Sequence, residues 1–185
     1  MTQLVLVCHG QTDWDKEKRV QGALDIPLND VGKKEAQEIS DKLSKFKISA
    51  VYSSPVACSF STASEIAAPH KLKVKKADNL KELNQGFWQG LRLSDVKRRY
   101  KKQYNTWKVS PASGQPPKGE SGKDAYDRAV CAAHKIIDKH RDETVCVVSG
   151  DIILSMIKDH FKETDAKKVW SAIPSKTWWE VLEVE

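Results

Sequence analysis

A single histidine leaves the first apolar run of the chain. Leu4-Val5-Leu6-Val7-Cys8 leads into His9-Gly10, so the imidazole stands at the carboxyl end of a predicted strand, where glycine lets the chain turn. Open α/β sheets carry their chemistry outside the carboxyl ends of their strands. The donor types of Cys8, His9 and Cys58, with Asp151 or Glu82, are also those that suit a soft metal such as zinc: thiolate, imidazole and carboxylate. Cys8, Cys58, Cys131 and Cys146 contain no CxxC pair and no zinc-finger spacing. None has an arginine six positions later, as a cysteine phosphatase loop needs, since Trp14 follows Cys8 and Ser64 follows Cys58 at that distance. Reduced, mostly buried thiols are therefore expected, with Cys8 and Cys58 filling space rather than forming a disulfide.

The elements that must position these groups alternate. Runs of strand length at residues 4–8, 50–53, 72–75, 144–149 and 177–184 are separated by helical periodicity after Gly32, from about Pro55 to Ala67, at 123–140 and from Asp151. This predicts an α/β three-layer sandwich, with a mainly parallel sheet between helices and a last edge strand. The stretch 84–122 breaks the alternation. It holds Trp88, Trp107, Pro111, Pro116, Pro117 and a basic helix, and reads as a small cap inserted over a single domain spanning 1–185, with 110–118 as its loop.

At 185 residues the chain is long enough for a full core. No apolar run approaches the ~18 residues of a membrane span, and the chain opens on a strand-like run without a signal-peptide pattern. A cytoplasmic protein is the expectation, with no membrane partner. The net charge of +6 is spread along the chain. Its densest group, Lys97, Arg98, Arg99, Lys101 and Lys102 beside Tyr100 and Tyr104, reads as a solvated helix face, and nucleic acid is not an expected partner.

Several motifs in fixed order resemble the histidine phosphatase (phosphoglycerate mutase-like) superfamily, closest in pattern to the small α-ribazole phosphatase and phosphoglycerate mutase proteins. They are Val7-Cys8-His9-Gly10-Gln11-Thr12 with Asp13-Trp14-Asp15; Arg19-Val20-Gln21-Gly22; Asp25-Ile26-Pro27-Leu28-Asn29 with Gly32; Val51-Tyr52-Ser53-Ser54-Pro55 with Ser61-Thr62-Ala63; Leu80-Lys81-Glu82 with Gly86, Trp88 and Gly90; Gly119-Glu120-Ser121; and Val145 to Ser149. The resemblance runs from about Leu4 to Val184. It implies a neutral imidazole that attacks phosphorus, here His9, and a carboxylic acid that protonates the departing alcohol, here Glu82. It places Thr12, Asp15, Arg19, Gln21 and Gly22 on the substrate side, and implies no cofactor.

The same resemblance implies two arginines and a second histidine around the phosphoryl oxygens. Here Cys8 and Cys58 stand at the arginine positions and Gly150 at the histidine position, while Asp15 replaces an asparagine and Gln11 a glutamate. His70, His134, His140 and His160 do not replace the missing ring. His160, for instance, lies ten residues past Gly150, roughly 15 Å along a helix. Losing one preorganised donor to an anionic transition state costs ~2.7–4 kcal/mol, and Asp15, Asp151 and Glu82 make the pocket's field repel a phosphate dianion. The leading expectation is a catalytically impaired member acting in binding or scaffolding, with a small phosphorylated or anionic ligand or a protein as its partner. The alternatives are a weak or redirected phosphomonoesterase working through a phosphohistidine at His9, and a metal site built on the pocket cysteines.

Overall fold

The computed structural model describes residues 1–109, 114–162 and 178–184. Strands β1 (Thr2–Cys8), β2 (Ile48–Ser53), β3 (Val74–Lys76), β4 (Thr144–Ser149) and β5 (Trp179–Val184) form one sheet in the order β3-β2-β4-β1-β5. Four strands are parallel, and β5 pairs antiparallel with β1 at one edge. The expected α/β sandwich with a mainly parallel sheet is therefore present. Its helices among the described residues are α1 (Asp13–Lys16), α2 (Asp30–Leu43), α3 (Ala57–Ala67), α4 (Leu93–Arg99), α5 (Lys101–Val109), α6 (Gly122–Lys139) and α7 (Asp151–Lys162).

The strand alternation sorts side chains between two cores. Leu4 and Leu6 of β1 join Ala129 and Ile136 of α6 and Ile153, Leu154 and Ile157 of α7. Val5 and Val7 point the other way, onto Ile39 and Leu43 of α2 and Ile66 of α3. β4 lies between β1 and β2 with both faces covered, so it reads as a continuous apolar run. Each such aliphatic side chain contributes about 1.5–3 kcal/mol by leaving water. The β1–β4 register sets Cys8 beside Ser149, and His9 N donates to Ser149 O at 3.1 Å. The carboxyl ends of both strands thus open at one place.

Several element starts differ from the sequence expectation: β1 begins at Thr2, β2 at Ile48 and α2 at Asp30, each two or three residues early. β3 begins at Val74 rather than at residue 72, because Lys71 adopts φ +56° and Leu72 N returns to Ala67 O at 3.1 Å. Those residues are used in leaving α3. α3 itself starts at Ala57, after Pro55. Its first N–H groups find no local cap and are met from a distance, Ala57 N by Asp25 Oδ1 at 2.6 Å and Cys58 N by Ile26 O at 3.1 Å. The last strand was expected from 177, a residue outside those described. The segment 84–122 carries α4 and α5 around the buried Trp88, whose ring lies 6.4, 6.0 and 5.9 Å from those of Tyr100, Tyr104 and Trp107. Of the loop expected at 110–118, residues 110–113 are outside the described set.

Backbone meets backbone where β1 leaves the sheet. A Cβ on Gly32 would sit 2.0 Å from Gln11 O, and one on Gly10 would sit 2.3 Å from Gly32 O. Gly32 also holds the third position of α2, its N–H donating to Asn29 Oδ1 at 2.8 Å. Helix propensity alone favours Gly32→Ala by ~1 kcal/mol. The contact predicts the opposite sign, a loss of roughly 2 kcal/mol or more as the His9 loop is pushed away. Urea unfolding of the variant decides between them, since an unchanged or higher midpoint would mean that the loop yields freely.

Candidate functional site

His9 sits half-buried beyond the end of β1. Its Nδ1 donates to Gly10 O at 2.8 Å, and the imidazole also hydrogen-bonds the Cys58 side chain. Cys58 is fully buried in the first turn of α3 and accepts from Gln21 Nε2 at 3.3 Å. Burial works against charge on both groups. The nearby Cys58 charge and hydrogen bond nevertheless raise the His9 pKa to about 10, and His9, Gln21 and neighbouring donors lower that of Cys58. A helix N-terminus acts in the same direction on a thiol. The proton of the pair is drawn to the imidazole.

Thr12 and Asp15 belong to a capping box at the start of α1. Asp15 Oδ2 accepts from Thr12 N and Thr12 Oγ1, each at 2.8 Å, and Asp15 N donates to Thr12 Oγ1 at 3.1 Å. Gln21 Oε1 lies 3.0 Å from Thr12 Oγ1, so the side chains of Asp15, Thr12, Gln21, Cys58 and His9 form one polar chain. Gly22 turns at φ +56° against Gln89, which accepts from Ala23 N at 3.0 Å. Arg19 is spent elsewhere: it pairs with Glu17 and donates to Gly90 O at 2.8 Å.

Glu82 lies across the exit of β4. Its Oε1 accepts from Leu83 N at 2.6 Å and its Oε2 from Ile152 N at 2.9 Å, so the carboxylate caps α7. Burial raises its pKa to about 7; the two backbone N–H groups hold it down, and Asp151 pushes it up. A Cβ on Gly150 would stand 2.2 Å from Glu82 Oε2. The space beside the expected second-histidine position therefore holds the Glu82 carboxylate. Asp151 accepts from Trp178 Nε1 at 2.6 Å, and burial raises its pKa. Cys8 is buried among these groups. Burial pushes its thiol pKa well up, with Asp151, Glu82, Asp15 and Cys58 adding to the effect.

Arg128 of α6 escaped sequence reasoning. It pairs with Glu120 through two bonds of 2.6 and 2.8 Å. The same guanidinium donates to Asn79 O, Lys81 O and Glu82 O at 2.8, 2.7 and 3.3 Å, clamping the backbone that carries Glu82. Its only sequence signal was an arginine in a helix that opens at Glu120-Ser121. Among the described residues no group of three or more His, Cys, Asp or Glu is arranged to hold a metal ion. The alternative of a zinc site built on Cys8, His9 and Cys58, with Asp151 or Glu82, therefore finds no such group among the described residues. Cys8 and Cys58 are free thiols.

No helix among the described residues is long and apolar enough to cross a membrane. The phosphoserine phosphatase 1 of Hydrogenobacter thermophilus is 32% identical over 171 residues, 92% of this chain and 81% of that protein. Phosphoglycerate mutase-like protein 4 of Arabidopsis thaliana is 39% identical over 158 residues, 83% and 69% of the two chains. In three dimensions, Bacillus stearothermophilus YhfR superposes with a TM-score of 0.89 at 26% identity, over 100% of this chain and 92% of its own. The sequence profile of the histidine phosphatase superfamily (branch 1) matches residues 4–185, and the chain belongs to that family.

Proposed function

We propose that this histidine phosphatase family member is catalytically impaired toward phosphomonoesters and works in binding or scaffolding. The observation that carries this reading is the pairing of His9 with Cys58. A protonated imidazole has no lone pair to offer phosphorus. A phosphate dianion entering the cleft would meet Cys58, Asp151 and Glu82 where an active pocket presents cations. Arg19 is directed to Glu17 and Gly90, which leaves it poorly placed to compensate. On this reading residues 1–185 act as one domain, and the segment 84–122 is a cap over the cleft.

The second reading, a weak phosphomonoesterase working through a phosphohistidine at His9, is favoured by one fact. Glu82, with its pKa near 7, is tuned for a general acid and feels the charge of His9. The relatives named as phosphatases agree with that chemistry. Restoring it takes more than new cations. Cys8→Arg and Cys58→Arg add charge, but Gly150→His must first lift Glu82 from the N-terminus of α7.

Two measurements test the proposal. In NMR pH titration the wild-type His9 ring should stay protonated to about pH 10, and Cys58→Ser should return it to the neutral range or below, because burial then acts unopposed. A wild-type His9 that titrates below pH 7 would remove the basis of the reading. Calorimetry with inorganic phosphate and vanadate should give millimolar or weaker affinity, and phosphomonoester hydrolysis should be slow and lost in His9→Ala. Micromolar phosphate binding would show that other groups rebuild the pocket.

A further inference from the structure

Two histidines outside the cleft meet across a helix pair. His134 of α6 and His160 of α7 approach Nε2 to Nε2 at 3.0 Å, with ring centroids 5.1 Å apart and planes at 84°. Tyr126 Oη lies 2.8 Å from His160 Nδ1. The Phe161 ring centroid lies 5.2 Å from that of His134 and 4.9 Å from that of His160. His134 is exposed and His160 half-buried, so the pair opens to solvent on one side.

We propose that His134 and His160 form a two-histidine clamp for a divalent d-block cation such as zinc, with Tyr126 as the outer partner, tying α6 to α7. Zinc–imidazole bonds of about 2.0–2.1 Å at a tetrahedral angle hold their two nitrogens roughly 3.3 Å apart. The observed pair needs to open by only a few tenths of an ångström. In the pair as it stands, one Nε2 carries the proton that the other accepts. On metal binding that proton moves, by way of solvent, to Nδ1 of its own ring, and both Nε2 lone pairs face the ion with no net proton released. His160 Nδ1–H then donates to Tyr126 Oη, the orienting contact that metal-bound imidazoles commonly have.

The chemistry sets the class of ion. Imidazole nitrogens without a carboxylate suit zinc, nickel, cobalt or copper, and offer little to magnesium or calcium. With two protein ligands the site is one short of the three that a catalytic zinc centre has. Water completes the shell, and affinity on the order of micromolar is expected rather than the far tighter binding of a closed structural site. The clamp is separate from the His9 cleft, since His160 closes the far end of the helix whose start Glu82 caps.

Thermal unfolding of the full chain with zinc chloride, against the same protein in chelator, tests the clamp. A hundredfold excess of zinc over its dissociation constant should raise the midpoint by roughly 5–10 °C. His134→Asn and His160→Asn should each abolish the rise, and Tyr126→Phe should weaken zinc affinity roughly tenfold. Cys58→Ser and Cys131→Ser should leave the rise intact. Titration with cobalt should give ligand-field bands without a thiolate charge-transfer band. The proposal is overturned by the absence of any rise in the wild type, by a rise that persists in both histidine variants, or by one that depends on Cys58 or Cys131.

Discussion

The hydrogen bond from His9 N to Ser149 O extends the β1–β4 ladder one step past the strands, and the cleft depends on it. Parallel strands in register release their chains at the same edge, so His9 and Gly150 emerge side by side. The chain leaving β1 must then turn under α2, which the Gly10–Gly32 contact allows at backbone distance. The chain leaving β4 enters α7 after one residue, so the N–H groups of that helix point into the same space. Side-chain identities decide what the cleft does, but backbone pairing decides that there is a cleft.

A helix N-terminus is a natural anion site. Here the anion at α7 is supplied by the protein, as Glu82 Oε2 takes Ile152 N. Arg128 strengthens the arrangement from behind by holding the carbonyls of residues 79, 81 and 82 while Glu120 balances its charge. The dipole of α7 thus stabilises an internal carboxylate.

Local patterns carried most of the architecture. The buried β4 run and the three-and-four spacing of α6 depend on residues near in sequence, and those elements formed within a residue of the expectation, while α2 begins at Asp30, ahead of Gly32. The start of α3 was not legible because its first N–H groups are met by Asp25 and Ile26, which lie some thirty residues upstream. The site divides in the same way. His9 could be placed at a strand end from the apolar run before it and the glycine after it, whereas the direction taken by Arg19, the capping role of Glu82 and the clamp by Arg128 follow from contacts across loops. Residue type announces a charge; only tertiary structure says what that charge faces.

Asp15, Glu82 and Asp151 are half-buried carboxylates around one cleft, and an unpaired buried charge is destabilising. Neutral donors meet each of them. Asp15 takes the N–H and hydroxyl of Thr12, Glu82 takes two backbone N–H groups, and Asp151 takes the Trp178 indole. Dipoles satisfy these hydrogen bonds without adding a charge. The thiols add little cost of their own, since burial keeps Cys8 neutral and the charge drawn onto Cys58 is balanced by the His9 imidazole. This division explains how the fold tolerates three carboxylates around one cleft. Stability asks only that each buried polar atom find a partner, whereas phosphoryl transfer asks that the partners carry charge of one sign.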